Sequence, residues 1–502
     1  MILAKAVSAS WMPRTGLIPT FMREGRAWDY IKTIASNSWE NHMTQMWRKN
    51  ILKEIVPSLA ERRGEEKMVR SLVRKINGMK GPHLEAKLAG SLARNTHLKG
   101  DRDLDIFVFY PPSLKRDKFE AAGLKLGHSV FGENFHEEAY SEHPYVRGVI
   151  DGFNVEIVPT YKVDKASNKI SAVDRTPFHA AYMKKRLNAK QCNDVRLLKQ
   201  FLKRVSVYGA DVRFHGVPGY LVEILILNYG SFEKAVERIS HWRDHTVIDL
   251  ERSHGNDAIA LAQFNHPFLL VVDPTDAQRN VAGALSYNQF ARMIMACRTF
   301  LKQPSEAFFH AHTDKPLSVE QVKSLMQKEE FVGVRLPYPN GMLSDVMWGQ
   351  LSRLSTKLTN TLTQYDFHVI RSWHWTDALN EAYIIFEVEN PILPQTRIRI
   401  GPRVVEEKHA EEFLHAHAKP VSGPRIEDGK LVIEIPRKVW KFTDALKQEV
   451  ERAAHVESGD IKPSLFAATL VSEPLLLNHY KKDPSFASAL SVFLKGKEPF
   501  LR

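Results

Sequence analysis

Apolar and charged positions along the chain recur with periods that predict its first secondary-structure elements. Between residues 47 and 77, apolar side chains recur mostly at helical spacing among charged ones, which predicts a helical stretch. A strand is expected at residues 84–88. Residues 103–110 (DLDIFVFY) alternate at first and then become apolar, which is typical of a strand buried in a sheet. Pro111 and Pro112 end that strand.

The next segments complete a mixed α/β unit. The pattern predicts a helix at residues 114–127, a polar loop, and strands at residues 145–150 and 153–158. Pro159 is expected to close the unit, because proline cannot donate a hydrogen bond to a neighbouring strand.

The rest of the chain is predicted to be helical first and mixed afterwards. Helical spacing runs from residue 176 to about residue 300. Beyond Pro304, the pattern predicts strands at 331–336, 367–373 and 383–388, a long helix at 344–365, a hairpin at 425–435 around Asp428-Gly429, and a helix from about residue 443. The order strand, helix, strand, strand suggests a ferredoxin-like or RNA-recognition-type unit.

Length and composition describe a folded protein of several domains. A chain of 502 residues exceeds the usual size of one domain, about 100 to 200 residues, so about three or four domains are expected. No apolar run approaches the roughly 20 residues that cross a bilayer, so a soluble protein is expected. Two cysteines, Cys192 and Cys297, form neither a disulfide framework nor a zinc motif, which fits a reducing cytoplasm.

Charge is unevenly distributed along the chain. Lysine and arginine outnumber aspartate and glutamate by 70 to 58, an excess that suits a nucleic-acid partner, although many basic proteins bind none. The first 23 residues carry basic side chains and no acidic one, as an organellar targeting segment does. An unstructured extension or a later start at Met43 or Met46 is the preferred interpretation, and residues 1–45 are set apart as an extension of unknown role.

The main chemical signal lies in residues 88–110. Gly90-Ser91 after a strand places a hydroxyl and accessible backbone N–H groups where a phosphate can sit, and Arg94 can reach the same phosphate. Asp103 and Asp105 are two positions apart on a strand, so both carboxylates point to one face. There they can bind a pair of divalent ions.

A third carboxylate is expected on the strand at residues 153–158. Glu156 faces away from its apolar neighbours Val155 and Ile157, and a carboxylate on an apolar strand needs a reason such as metal binding. Alone, two aspartates at this spacing usually belong to a surface turn, and a strand glutamate is usually an edge or salt-bridge group. Combined with the Gly90-Ser91 turn, they indicate a two-metal site for phosphoryl transfer.

These motifs, in this order, resemble the DNA polymerase β-like nucleotidyltransferase superfamily. Residues 90–107 resemble the motif GS-x-A-R-x-T-x-L-x-G-D-x-D-x-D-x-F of the class I, archaeal-type CCA-adding enzymes, and the likeness runs from about residue 46 to the end. Further matching segments are RTPFH (175–179), NDVRLLKQFLK (193–203), VYGA (207–210), GYLVEILILNYGSF (219–232), VDPTDAQRNVAGAL (272–285) and GPRIEDGKLVIEI (423–435).

The resemblance implies a multidomain α+β fold. A mixed-sheet, polymerase β-like nucleotidyltransferase head is expected at residues 46–165. A helical central domain is expected at residues 166–302. Residues 303–502 are expected to form a ferredoxin-like, RNA-recognition-type α/β body and tail that bind tRNA.

The resemblance also implies roles for individual residues. Asp103, Asp105 and Glu156 would be the catalytic carboxylates and hold two Mg²⁺ ions. The incoming nucleotide would be bound by Ser91, Arg94, Thr176, His179, Lys199 and Tyr208, with Arg279 reading the base. On the residues alone, three of these have plainer interpretations: a solvated helix face for Lys199 together with Arg196 and Lys203, a structural histidine for His179 and a turn aromatic for Tyr208.

The implied reaction is template-independent addition and repair of the 3′-terminal CCA of tRNA. The tRNA 3′-hydroxyl would attack the α-phosphate of CTP or ATP in line, and pyrophosphate would leave. The C-terminal region would bind the acceptor stem and TΨC arm with its basic residues and with Trp373, Trp375 and Tyr383, although strand aromatics fit a buried core equally well. A homodimer is compatible with the resemblance. The alternatives are a terminal adenylyltransferase or oligoadenylate-type enzyme, and an inactive RNA-binding homologue.

Three features depart from the family pattern. Glu156 stands where the family commonly has aspartate, which lengthens the reach to a metal by one methylene. Residues 251–267 form a longer segment than the family leads us to expect, and residues 1–45 have no counterpart.

Overall fold

The computed structural model describes residues 46–140, 142–211, 214–310, 315–327, 330–457, 459–498 and 500–501. The N-terminal extension therefore lies outside the described residues. The helical stretch predicted at 47–77 is two helices, α1 (46–55) and α2 (Leu59–Asn77). Pro57 interrupts the helix, and Ser58 starts α2 by accepting a hydrogen bond from the Glu61 backbone N–H while the Glu61 side chain accepts one from the Ser58 N–H.

The predicted nucleotidyltransferase head contains a five-stranded mixed sheet. Its strands lie in the order β1-β2-β5-β4-β3, with β2 and β5 parallel and every other pair antiparallel. The elements are β1 (Glu85–Leu88), the one-turn α3 (Gly90–Ala93), β2 (Asp103–Tyr110), α4 (Arg116–Phe131), β3 (His136–Tyr140), β4 (Pro144–Ile150) and β5 (Phe153–Tyr161). The predicted mixed sheet and the bounds of β2 are confirmed.

Two expectations for this sheet are wrong. Pro159 does not close the unit, because β5 continues through it to Tyr161 and pairs with β2 as far as Tyr110. Pairing with β4 ends at Ile157, so Pro159 lies in the part of β5 that pairs with β2 alone, where a missing N–H is tolerated. The expected polar loop contains β3, whose sequence HEEAY forms the polar outer strand of the sheet.

The middle of the chain is helical, as predicted, and it also contains a small sheet that was not predicted. The helices are α5 (Thr176–Arg186), α6 (Ala189–Arg204), α7 (Gly219–Tyr229), α8 (Phe232–Ser240), α9 (Asp257–Gln263) and α10 (Tyr287–Lys302). The strands β6 (Thr246–Ile248), β7 (Leu269–Asp273) and β8 (Asp276–Asn280) form a three-stranded sheet. Trp47, Ile51 and Ile55 of α1 are buried in the core of these helices, although they precede the head in sequence.

The C-terminal region contains a ferredoxin-like sheet with an inserted unit. Along the chain follow α11 (Val319–Met326), β9 (Glu330–Pro337), α12 (Ser344–Gln364), β10 (Val369–Thr376), β11 (Glu381–Val388), β12 (Thr396–Arg403), α13 (Glu407–Ala416), β13 (Ser422–Glu427), β14 (Lys430–Pro436), α14 (Phe442–Val456), α15 (Lys462–Phe466), β15 (Thr469–Val471), α16 (Glu473–Lys482) and α17 (Pro484–Lys495). The sheet order β10-β11-β9-β15 is the antiparallel βαββαβ arrangement, and β12-β14-β13 form the insert, including the predicted hairpin.

The strand aromatics of this region are mostly core residues. Trp375 and Tyr383 are buried with Phe486, and Trp373 is partly buried with its ring stacked on that of Phe493. The expectation that these rings contact tRNA is therefore wrong for Trp375 and Tyr383, because α16 and α17 cover that face of the sheet. Among the described helices, none combines the length and the apolar content needed to cross a bilayer.

Candidate active site

The three predicted carboxylates lie on two neighbouring parallel strands. Asp105 of β2 is the register partner of Glu156 of β5, and Asp103 is the partner of Asn154. Leu104, Val155 and Ile157 are buried on the opposite face of the sheet, in the core under α2 and α4. Alternation along both strands therefore places Asp103, Asp105 and Glu156 on one face, as the sequence predicted.

A tight turn presses on the central carboxylate. The backbone N–H of Ala89 donates to the Asp105 carbonyl, and Gly90 follows with φ +65° at the start of α3. A Cβ atom on Gly90 would lie 1.6 Å from Oδ2 of Asp105. Only glycine allows this backbone conformation and this approach together, so the Gly90-Ser91 turn and the Asp105 carboxylate form one packed unit.

The surroundings of Asp105 and Glu156 disfavour the ionised form of both carboxylates when no cation is bound. Burial, then the neighbouring charge of Asp105, raises the pKa of Glu156 to about 7. Burial likewise raises the pKa of Asp105, opposed by the charge of Arg94. Asn154 donates from Nδ2 to Oδ1 of Asp103 at 2.9 Å, which orients that carboxylate from the adjacent strand.

The donor set fits a small divalent cation bound together with substrate. Within the described part of the chain, no three His, Cys, Asp or Glu side chains lie close enough to form a ready-made metal cage. Ions such as Mg²⁺ usually take one or two carboxylates and complete their coordination with water and phosphate oxygens. A cation beside these carboxylates would also offset the burial and the neighbouring negative charges that raise the pKa values of Asp105 and Glu156.

Arg94 and Lys199 share a buried counter-charge. Arg94 Nε lies 2.7 Å from Oε2 of Glu223, whose side chain is fully buried on α7. Thr96 donates its hydroxyl to the other oxygen, Oε1, at 2.5 Å. Lys199 Nζ donates to the Thr96 carbonyl at 3.0 Å, so one carboxylate and one threonine hold both cations between the head and α6.

Lys199 is not on a solvated helix face. It is 2% exposed and Arg196 is fully buried, so the solvation interpretation is wrong for both residues. Burial lowers the pKa of Lys199 to about 8, with Glu223 acting in the opposite direction. A Cβ atom on Gly219 would lie 3.0 Å from the Tyr208 hydroxyl and 3.7 Å from Lys199 Nζ, so the first turn of α7 brings Tyr208 and Lys199 together.

His179 and Arg279 meet on another buried carboxylate, Asp273 at the end of β7. His179 Nε2 lies 2.8 Å from Oδ2 of Asp273, and Arg279 donates from Nη1 to the same oxygen at 2.9 Å. The His179 ring stacks on the Tyr220 ring with centroids 3.9 Å apart. His179 is thus a hydrogen-bonded buried histidine, which by itself excludes no contact with substrate.

Ser91 and Thr176 stand on facing elements. Ser91 lies in α3, which packs against α5, and Thr176 is the first residue of α5. Arg94 lies near both the catalytic carboxylates and His179, because its charge lowers the pKa of Asp105 and that of His179. The head segment that carries Ser91 and Arg94 therefore packs against the helices that carry Thr176, His179 and Lys199.

Comparison with known proteins agrees with this geometry. Three family models match the chain: "Nucleotidyltransferase domain" at residues 70–179, "tRNA nucleotidyltransferase, second domain" at residues 193–310, and "CCA-adding enzyme, C-terminal domain" at residues 329–466. The CCA-adding enzyme of Methanocaldococcus jannaschii is 36% identical over 80% of this chain and 90% of its own length. That of Methanothermobacter thermautotrophicus is 37% identical over 82% and 89%, respectively.

The chain belongs to the CCA-adding enzyme family. One solved structure, a cytoplasmic RNA terminal U-transferase, aligns with 54% of this chain and all of its own at 13% identity and a TM-score of 0.42. The polymerase β-like head, the helical layer and the sheet-containing C-terminal region are those expected of the family.

Two functional candidates in this family member were missed by sequence reasoning. Glu223 lies within an apolar helix sequence (GYLVEILILNY), where a lone carboxylate needs a partner, and Asp273 ends the apolar run LLVVD. Each resembles the pattern that singled out Glu156. Their partners are distant in the chain, 127 residues for Thr96 and Glu223 and 94 residues for His179 and Asp273.

Proposed function

We propose that this CCA-adding enzyme family member completes tRNA by template-independent addition and repair of the 3′-terminal CCA from CTP and ATP, with two Mg²⁺ ions at Asp103, Asp105 and Glu156. The observation that carries the proposal is the register of β2 and β5, which sets Asp105 beside Glu156 with the Gly90-Ser91 turn against them. Phosphate, metal and carboxylate chemistry can meet at that one place.

The carboxylates have separate tasks in the proposed reaction. Bound Mg²⁺ would supply charge neutralisation at the departing pyrophosphate and activation of the attacking hydroxyl. Asp103 and Asp105 would hold both ions from one strand, and the hydrogen bond from Asn154 orients the Asp103 carboxylate. Glu156 would hold the ion next to the tRNA 3′-hydroxyl and would accept the proton of that hydroxyl.

The nucleotide is positioned by the cations of the cleft. Ser91 and the backbone of the glycine turn contact the triphosphate, and Arg94 and Lys199 neutralise it, with Thr176 and Tyr208 completing the phosphate and ribose contacts. Arg279 donates to acceptor atoms of cytosine and adenine, and His179 lies beside it on Asp273. Protein side chains and the growing 3′ end together select C, C and then A.

tRNA is proposed to lie across the C-terminal region, which binds the acceptor stem and TΨC arm by backbone shape. Arg397, Arg399 and Arg403 on β12 supply positive charge for that contact. In this proposal the head extends to residue 165, the central domain to residue 302 and the C-terminal region beyond it. We also propose a cytoplasmic location and a homodimer.

Incubation of tRNA lacking its 3′ CCA with CTP alone, and then with ATP, tests the function. We expect cytidine incorporation with CTP and a terminal adenosine only after it. Absence of CTP incorporation would refute CCA addition and leave a terminal adenylyltransferase, which the family membership does not favour.

Asp105→Ala tests the catalytic carboxylates and the inactive-homologue alternative together. The variant should lose incorporation altogether and retain tRNA binding, measured by gel shift, because the residue contacts metal and not the tRNA body. Asp117→Ala, which changes an exposed carboxylate in the first turn of α4, is the matched control and should retain full activity. Surviving activity in Asp105→Ala would show the metal assignment to be wrong.

A further inference from the structure

Asp273 is a fully buried carboxylate that binds His179 and Arg279, the arginine proposed to read the base. It ends β7, and Pro274 and Thr275 connect it to β8, which carries Arg279. Its two oxygens are the acceptors for five donor groups from three parts of the chain. They are His179 Nε2 at 2.8 Å and Arg279 Nη1 at 2.9 Å on Oδ2, and the Tyr220 hydroxyl at 3.2 Å, the Thr275 hydroxyl at 2.8 Å and the Thr275 backbone N–H at 2.9 Å on Oδ1.

These bonds keep Asp273 charged despite its burial. Burial alone raises a carboxyl pKa, but the hydrogen bonds from His179, the Thr275 N–H and Arg279 outweigh it and hold the pKa of Asp273 well below its usual range. An ionised carboxylate has about four lone-pair directions, so five donors leave it no capacity for a substrate group. Asp273 therefore acts on the cleft only through its neighbours.

Its effect on His179 is to fix the ring. Burial lowers the pKa of His179, so the ring is neutral near pH 7 and one nitrogen carries the proton. An anionic acceptor 2.8 Å from Nε2 places that proton on Nε2 and makes Nδ1 the acceptor nitrogen. The stacked Tyr220 ring, itself bonded to Asp273, prevents the imidazole from turning.

Its effect on Arg279 is to hold one end of the guanidinium. Among the described residues, Asp273 is the only hydrogen-bond acceptor of Arg279, and the arginine side chain is 29% exposed. With Nη1 bound at 2.9 Å, Nε and Nη2 form the edge that remains to donate to a ligand.

Asp273 and Arg279 lie on the β7–β8 hairpin, and a different carboxylate of that hairpin, Asp276, attaches it to the rest of the chain. Asp276 Oδ2 accepts from Lys169 at 2.8 Å and from Arg175 at 3.3 Å, both in the segment that joins the head to α5. The position of the hairpin is thus set by Asp276, whereas the orientation of the two cleft residues is set by Asp273. The two roles can be separated by mutation.

We infer that Asp273 is a positioning residue for nucleotide selection, because it holds Arg279 and His179 as one oriented unit at the base. The inference rests on the proposed function in one respect, the contact between Arg279 and the base. A cytosine offers its N3 as an acceptor where uracil has an N–H donor, so a correctly oriented arginine edge distinguishes CTP from UTP. A freely rotating arginine does so less well.

The test compares kcat/KM for CTP and UTP on tRNA lacking its 3′ CCA. Asp273→Asn keeps the size of the side chain but turns an N–H₂ group toward donors and removes the charge. We expect the ratio of CTP to UTP efficiency to fall by about tenfold or more, mainly through KM for CTP, with kcat less affected. Unchanged selectivity in folded Asp273→Asn would overturn the inference.

Two controls separate positioning from general damage. Asp276→Asn changes a neighbouring carboxylate of the same hairpin that does not contact Arg279, and it should retain selectivity; an equal loss there would reduce Asp273 to a structural role. In an Arg279→Ala background, Asp273→Asn should cost no further selectivity, because its action passes through the missing arginine. An additive loss would contradict the inference.

The outcome for Arg279→Ala alone tests the proposed function separately. If it loses selectivity while Asp273→Asn does not, Arg279 reads the base and Asp273 does not position it. If Arg279→Ala retains selectivity, the base-reading assignment itself is wrong. Should Asp273→Asn fail to fold, Asp273→Glu keeps the charge and moves the oxygens by one methylene. The same loss is then expected, and unchanged selectivity would overturn the inference.

Discussion

Replacing Gly90 by alanine should displace the central catalytic carboxylate. The new Cβ atom would lie 1.6 Å from Oδ2 and 2.7 Å from Cγ of Asp105, whereas an ordinary contact begins near 3.4 Å. The carboxylate must therefore move by roughly 1.8 Å, the difference between 3.4 Å and 1.6 Å. Misplacement of a reacting group by about 1 Å can cost about a hundredfold in rate, so we expect kcat to fall by at least about that factor.

Backbone strain adds a separate cost, which a second variant measures. Alanine at a φ of +65° costs about 1 kcal/mol in the free energy of unfolding. Gly100 has a φ of +84° but no atom within 4 Å of its would-be Cβ. Gly100→Ala should therefore lose about 1 kcal/mol of stability and keep its rate within about twofold.

Single-turnover incorporation of CTP into tRNA lacking its 3′ CCA measures the rate of each variant. Urea unfolding of the same samples measures stability. If Gly90→Ala and Gly100→Ala have equal rates, the carboxylate of Asp105 is either not displaced or not at the reacting centre, and the argument from the glycine turn fails. A hundredfold difference at similar stability supports it.

Two further predictions concern the buried charges of the opposite wall. Because the pKa of Lys199 is lowered to about 8, its positive charge disappears as pH rises through that value, so KM for CTP should increase between about pH 7 and pH 9. The Lys199→Met side chain is neutral at every pH, so this variant should have a high KM for CTP that does not rise between about pH 7 and pH 9. If KM still rises with pH in the variant, Lys199 is not the cause of the rise. Glu223→Gln should lower the free energy of unfolding by about 3 kcal/mol or more in urea, because it leaves Arg94 and Lys199 without their counter-charge, whereas Thr96→Val should cost about 1 kcal/mol. Equal small losses in both variants would show that Glu223 is not a significant counter-charge.

Much of the fold can be predicted from local sequence patterns, and the strands that were missed have local explanations. The strand Asp103–Tyr110 was predicted to the residue because Pro111 and the change from alternating to apolar positions define its ends. β3 was missed because HEEAY, at the outside of the sheet, lacks an apolar face. β7 was missed because a five-residue apolar run among helices has no period that separates a strand from a helix turn.

The candidate site also contains residues that local patterns predict and residues that they do not. Residue alternation on β2 and β5 was sufficient to place Asp103, Asp105 and Glu156 on one face. Arg94 and His179 are held by carboxylates about 100 residues away, and Lys199 and Arg196 of α6 donate to the distant carbonyls of Thr96 and His97. No spacing rule gives such contacts. The solvated-helix interpretation of Lys199 was wrong for this reason, because the polar side of α6 packs against the head instead of water.

Glu223 and Asp273, the two missed carboxylates, explain why the nearby cationic side chains do not pair with the proposed metal ligands. Arg94 is close enough to Asp105 to lower its pKa, and without another partner it would form an ion pair there and compete with a divalent ion. Glu223 holds Arg94 Nε at 2.7 Å on the other side, and Asp273 holds Arg279 and His179 in the same way. Arg94, His179 and Arg279 thus each have a buried partner, and among the described residues none of the three forms an ion pair with the carboxylates of β2 and β5. Their mutual repulsion is the feature that a bound metal removes, and we therefore expect Glu223→Gln to raise the Mg²⁺ concentration needed for half-maximal incorporation.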